Sequence, residues 1–145
     1  MTFGAEVTID ADADRCHAAP SAARPPMPHR SFPCGPCPIR ADNSDNPAAK
    51  FPAERWRALS STVRDPKTGK QPMPGDPMFG CHEGEPGTND DLGCAGWLAQ
   101  FGADHVGVRF AVATGRLPES ALEAGDNWPP LHETWEDVVR AQTGP

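Results

Sequence analysis

The chain has 145 residues, a net charge of −7, 37% hydrophobic and 7% aromatic residues and no Tyr, which bounds it to one small domain and a tail. Its 18 Pro and 14 Gly follow no collagen-like period, so the chain is loop-rich, its core is small, and a disulfide or metal staple is expected. The acidic balance disfavours non-specific nucleic-acid binding, which needs Lys and Arg to neutralise phosphates, and no apolar run approaches the ~20 residues of a membrane span.

Residues 1–30 hold few large apolar side chains (Phe3, Val7, Ile9, Met27) and many Ala, Asp and Pro. Such a composition cannot offset its ordering entropy by burial, and the segment reads as a flexible tail before a domain at 31–145. Residues 1–14 lack the positive and apolar stretches of a secretory leader, so the expected location is the cytoplasm, where thiols stay reduced. Cys16 lies in the tail with no second ligand pair at zinc-finger spacing and is set aside.

Residues 33–46 form a turn-rich loop, after which Pro47 or Pro52 opens a helix with Trp56, Leu59 and Val63 on one face. It ends before Asp65-Pro66, and an exposed Pro/Gly-rich loop follows. Residues 78–82 read as a short extended approach to Cys81. Asp90 or Asp91 caps a helix through Phe101 whose stripe is Cys94, Trp97, Leu98 and Phe101, with Gly102 as a left-handed stop.

Residues 106–112 alternate as a strand would, yet Val106, Phe110, Ala113 and Leu117 also make a helical face. Asp104 as N-cap and Gly115 before Pro118 favour helix. A short helix follows over 118–124, then a turn, then a last helix over 134–141 with Thr134 and Asp137 as a capping box and Trp135, Val138 and Val139 inward. The fold class is mostly α with short extended pieces: a small loop-rich helical domain stapled by a four-cysteine metal site.

The chemistry concentrates in the cysteines. Cys34 and Cys37 form a C-x2-C turn; Cys81 follows after 43 intervening residues, and Cys94 after 12 more. A C-x2-C turn presents two sulfurs on one side, and two further thiols complete four-coordination. Zinc suits such a closed set and supplies folding energy; a 4Fe-4S cluster also takes four thiolates and often has Pro after a ligand, as in Cys37-Pro38. His82, next to Cys81, is a substitute fourth ligand or an outer donor. Arg40 beside the site could offset the negative charge of a thiolate-rich cluster.

Cys34-Gly35-Pro36-Cys37 is also the tetrad of thiol–disulfide enzymes, but no hydrophobic strand precedes it and Pro38 follows. It matches half of a zinc-deaminase motif whose H-x-E half is absent. No nucleophile elbow, Walker loop or dinucleotide fingerprint occurs. The expected role is therefore a non-enzymatic interaction or regulatory module. Its candidate contact face is the basic segment 50–70 (Lys50, Arg55, Arg57, Arg64, Lys67, Lys70), toward an unidentified macromolecule. An internal attraction of this segment to the acids after Leu117 is the other reading of the charge pattern.

The ordered set Cys34-x2-Cys37-Pro38-x-Arg40, Phe51-Pro52, Phe79-x-Cys81-His82, Cys94-Ala95-Gly96-Trp97-Leu98, Arg109 and Gly115-Arg116-Leu117 resembles an uncharacterised family of actinobacteria and their phages, classed as a domain of unknown function. The resemblance covers about residues 31–142. Ile39 stands where that family usually has Trp. The resemblance implies that Cys34, Cys37, Cys81, His82 and Cys94 belong together, and it implies no reaction.

Overall fold

The computed structural model of the chain describes residues 25–84 and 92–143. Most of the expected tail (residues 1–24, with Cys16) lies outside the described residues, as do the proposed caps Asp90 and Asp91. Residues 25–30 run along the domain: Met27 N–H donates to the Arg116 carbonyl at 2.8 Å and Arg30 N–H to the Gly93 carbonyl at 2.9 Å. The packed body thus begins before residue 31, held by backbone hydrogen bonds that composition does not reveal.

Among the described residues four short α-helices carry the apolar stripes, α1 (Ala53–Leu59), α2 (Ala95–Phe101), α3 (Val106–Ala113) and α4 (Trp135–Thr143), five 3-10 turns join or extend them, and no strand forms. The Pro signals hold: Pro47 opens the turn Pro47–Ala49, with the Asn46 side chain accepting from Ala48 N–H, and Pro52 is the N-cap of α1.

Helix α2 begins later than the Asp90/Asp91 reading, with Cys94 as N-cap instead of an interior position. Its stripe is nonetheless inward: Trp97 and Leu98 are wholly buried and Phe101 nearly so. Gly102 is not a left-handed stop. Its φ is −60° and the chain continues into the turn Gly102–Asp104. A Cβ there would meet Leu122 Cδ2 at 3.2 Å and Leu98 Cδ2 at 3.4 Å, so the glycine serves close packing.

Residues 106–113 are helical, which settles the strand alternative. The cap is His105 and not Asp104. The turn Gly102–Asp104 leaves the Asp104 carboxylate outside, where it pairs with Arg64 at 3.1 Å. His105 is fully buried: Nδ1 accepts from Gly107 N–H at 3.0 Å, which makes Nε2 the protonated nitrogen that donates to the Pro77 carbonyl at 3.1 Å. Gly115, at φ +76°, ends α3 as its sequence position predicts. The Thr134 hydroxyl caps α4 by accepting from Asp137 N–H at 3.1 Å.

The core is one apolar cluster around Trp97, Leu98, Val108, Leu117 and Val138. Beside it an aromatic group packs edge to face: Trp135 meets Trp56, Phe79 and Phe101 with centroids 5.6, 6.1 and 5.6 Å away. This body is the platform onto which the cysteine loops close.

Candidate functional site

The C-x2-C half is a double turn, with Cys37 N–H on the Cys34 carbonyl at 3.1 Å and Arg40 N–H on the Cys37 carbonyl at 3.2 Å. Buried Asn43 locks it from below, donating to the carbonyls of Gly35 and Cys37 at 2.8 Å each. A bridge between Arg40 and Leu131 then ties the loop to the chain before α4: Ala41 N–H meets the Pro130 carbonyl, and His132 N–H the Ile39 carbonyl, each at 2.8 Å. Ile39 is wholly buried and lies against α2, where a Cβ on Gly96 would meet its Cβ at 3.0 Å and Cys37 Sγ at 3.2 Å. The small residue in the Cys-Ala-Gly-Trp-Leu run is what lets α2 approach the C-x2-C turn this closely.

The other half is a ladder of single bridges centred on Gly93. That residue pairs in parallel with His29 and in antiparallel with Gly80. Cys81 N–H donates to the Leu92 carbonyl at 2.7 Å and Cys94 N–H to the Phe79 carbonyl at 3.0 Å. The extended approach expected at 78–82 thus forms one flank of this set of bridges, with Gly93 in the middle, and its bonds bring Cys81 near Cys94 in the fold. On the far side, Gly93 N–H donates to the Pro28 carbonyl at 3.0 Å, which fixes Arg30 alongside.

The two halves bring the four thiols together. Cys37 Sγ lies 3.8 Å from Cys94 Sγ, and Cys34 is near enough to Cys37 and Cys81 for both to shift its pKa. All four are free thiols; Cys37, Cys81 and Cys94 are buried and Cys34 is half-buried. As they stand, no group of three or more His, Cys, Asp or Glu side chains among the described residues is placed to hold a metal ion.

Crowding shapes their protonation. Contact with Cys37, then burial, raises the Cys34 thiol far above the ordinary thiol range. Contact with Cys34 lowers Cys37, but its contact with Cys94 and its burial outweigh this and push it up to about 12. Without a cation the pair is held protonated, the opposite of the lowered thiol pKa that thiol–disulfide catalysis uses.

The arginines flank the thiols unequally. Arg40 gives Nη1 to the Cys34 carbonyl at 3.4 Å, and its fork is taken by Asp42 at 2.9 and 2.8 Å. That pairing holds the Asp42 carboxyl below its usual range. Arg30, which sequence reading overlooked, has its pKa raised by the nearby Cys81 and, more weakly, by Cys34. The only signal for it was a cation four residues before the C-x2-C turn.

His82 takes another direction. Its ring packs edge-on to Phe51 at 5.5 Å, and the charges that act on it are Glu83 and Arg55. Burial lowers its pKa, and its Nε2 is buried without a partner.

The basic segment 50–70 is only partly free. Lys50 Nζ donates to the carbonyls of Ser44 and Ala141 at 2.7 Å each, Arg55 sits 4.1 Å over the Phe51 ring, and Arg64 pairs with Asp104. The contacts of this segment are to backbone, an aromatic face and Asp104, and among the described residues none is a salt bridge to the acids after Leu117. Exposed Arg57, Lys67 and Lys70 make no salt bridge among the described residues. Lys67, Lys70 and Arg64 rim a cavity of about 540 Å³ walled by Val63, Pro66 and Trp135, which contains none of the cysteines. No helix among the described residues is long and apolar enough to cross a membrane.

A family model described as a family of unknown function, DUF6283, matches residues 29–144. No curated protein matches the chain, and no solved structure does.

Proposed function

Because the chain belongs to DUF6283, a family whose description assigns no activity, we propose its role from its own thiols: a small cytoplasmic module that holds one structural zinc ion through Cys34, Cys37, Cys81 and Cys94. The observation that carries this reading is that four thiols from a turn, the Gly93 bridges and a helix cap lie near one another, with Cys37 Sγ 3.8 Å from Cys94 Sγ. Zinc–sulfur bonds of about 2.3 Å put tetrahedral sulfurs about 3.8 Å apart. The Cys37–Cys94 separation of 3.8 Å matches that edge. Metal binding has to gather the four sulfurs into one shell and displace the thiol protons, which makes affinity fall with acid.

Four cysteines are favoured over three and His82, whose ring packs edge-on to Phe51. When bound, the ion supplies folding energy by tying the C-x2-C loop and the Gly93 ladder to α2. This is a staple and not a reaction centre, and the module's work is interaction or regulation. Its docking face is the set of exposed cations Arg57, Lys67 and Lys70, of which Lys67 and Lys70 rim the cavity at Trp135.

The test is metal content and absorbance of protein purified without air. One zinc per chain, no colour, and loss of both metal and thermal stability in Cys34→Ser and Cys94→Ser are expected. Brown protein containing iron and sulfide would replace zinc with a 4Fe-4S cluster on the same ligands. A Cys34→Ser variant with unchanged metal content and melting temperature would refute a shared site.

A further inference from the structure

We propose that the cavity rimmed by Lys67 and Lys70 and the smaller cavity beside it form one groove, whose occupant is an extended peptide segment of a partner protein: acidic at one end, apolar in the middle and basic at the other. The inference rests on the docking face proposed above and names the chemistry of what that face takes.

The two cavities, of about 540 and 390 Å³, share Val63, Arg64, Pro66 and Trp135 as a common wall. The larger falls in the range of ligand sites, about 300–1,000 Å³. Trp135 is held edge to face by Trp56, Phe79 and Phe101, so the common wall is fixed. The outer wall of the larger cavity is fixed as well. The Pro72 carbonyl accepts from Val106 N–H at 2.8 Å, the Pro77 carbonyl from His105 Nε2 at 3.1 Å, and Gln71 Oε1 from Arg109 Nη2 at 2.9 Å. The groove therefore exists before anything binds, and an occupant is spared the entropy cost of shaping it.

Charge differs between its ends. In the larger cavity both carboxylates are turned to backbone: Asp65 accepts from Lys67 N–H at 2.8 Å and Asp76 from Met73 N–H at 2.7 Å. Lys67 and Lys70 are exposed and make no salt bridge among the described residues. In the smaller cavity Asp104 is taken by Arg64 at 3.1 Å, while Glu133 and Glu136 are exposed and make no salt bridge among the described residues. Cations thus stand ready at one end and carboxylates at the other, with Val63, Pro66 and the Trp135 indole between them.

That pattern selects the occupant. A nucleic-acid strand carries a negative charge at every nucleotide, so beyond the lysines it would meet Glu133 and Glu136. A uniformly acidic peptide meets the same repulsion. A peptide of mixed charge answers both ends and lays an apolar side chain against Trp135. Complementary charges of this kind set orientation and reject wrong partners more than they add affinity.

Selection from a random dodecapeptide library on the immobilised full chain tests this. Wild type should enrich peptides with acidic residues at one end, an apolar residue in the middle and basic residues at the other. On Lys67→Glu/Lys70→Glu the acidic end should give way to a basic one. On Glu133→Gln/Glu136→Gln the preference for a basic end should vanish. Arg57→Glu, at a position that lines neither cavity, should select the wild-type pattern. By fluorescence anisotropy, the lysine variant should bind the best wild-type peptide about 10-fold more weakly, the scale of two surface charge reversals. All these substitutions are at exposed side chains, melting curves check folding, and either double variant decides alone if the other does not fold.

Uniformly acidic peptides that are lost on the lysine variant would overturn the groove and leave the docking face standing. A pattern unchanged by Lys67→Glu/Lys70→Glu and by Arg57→Glu would overturn both. With no enriched peptides the inference also falls, and labelled oligo(dT) bound by wild type and lost on the lysine variant would then assign the docking face to nucleic acid.

Discussion

Gly96→Ala sets two effects of opposite sign against each other, and the packing of α2 decides between them. Gly in a helix interior costs about 1 kcal/mol relative to Ala, so on an exposed helix the change stabilises. In α2 the new Cβ would stand 3.0 Å from Ile39 Cβ, 3.2 Å from Cys37 Sγ and 3.4 Å from Ile39 Cγ2. Neither neighbour can retreat: both are wholly buried, and their loop is held by Asn43, by the Arg40–Leu131 bridge and by Gln142 Nε2 on the Pro38 carbonyl at 3.3 Å. Overpacking one such group costs about 1–3 kcal/mol, which leaves a net loss of between about 0 and 2 kcal/mol. Urea unfolding of the metal-free protein reads this, since metal affinity then plays no part. Zinc affinity should fall as well, because the same Cβ presses on Cys37. A stabilisation approaching 1 kcal/mol would show that α2 does not sit on the C-x2-C loop.

His105→Ala should destabilise by about 3 kcal/mol in urea unfolding: roughly 1 for the lost helix cap, roughly 1 for the bond to Pro77 and the remainder for the cavity. A loss under 1 kcal/mol would refute the buried cap. Burial lowers the pKa of His132, against a smaller opposing pull from Asp137, and its Nε2 is buried without a partner. The folded pKa lies below the unfolded value of about 6.5, so the unfolded state binds more protons in the window between them. Stability from this group is complete above pH 6.5 and is lost as pH falls toward the folded pKa. Melting temperatures of wild type and His132→Gln between pH 7.5 and 5 should therefore converge in acid as wild type falls faster, and parallel curves would refute the assignment.

Several features were legible because they depend on local chemistry. The stripe Trp97, Leu98 and Phe101 points inward because helical spacing leaves no other way to bury it. Gly115 stops α3 because it tolerates a positive φ, and Thr134 caps α4 through a bond to a residue three positions on. The C-x2-C turn announced two sulfurs on one side for the same reason. Other features depend on groups that leave no periodic trace. Gly93 organises a ladder with its backbone alone. His105 displaced Asp104 as a cap because the preceding 3-10 turn moved Asp104 out of register. His82 turned to Phe51, a contact 31 residues away in the chain.

What the sequence by itself determined is the inventory of the centre: four thiols outside the first 24 residues, two of them on one turn, and short helices with narrow apolar stripes to carry them. Residue type and i-to-i+4 spacing suffice for that, because those forces act within a few residues. Only the tertiary structure decided which thiols lie side by side, with Cys37 against Cys94, and how the loops that carry them meet. Those depend on Gly96 letting α2 close on Ile39 and on Gly93 pairing with chain segments from both sides. Such approaches are set by the absence of a side chain and by backbone hydrogen bonds, which hydrophobic pattern does not encode.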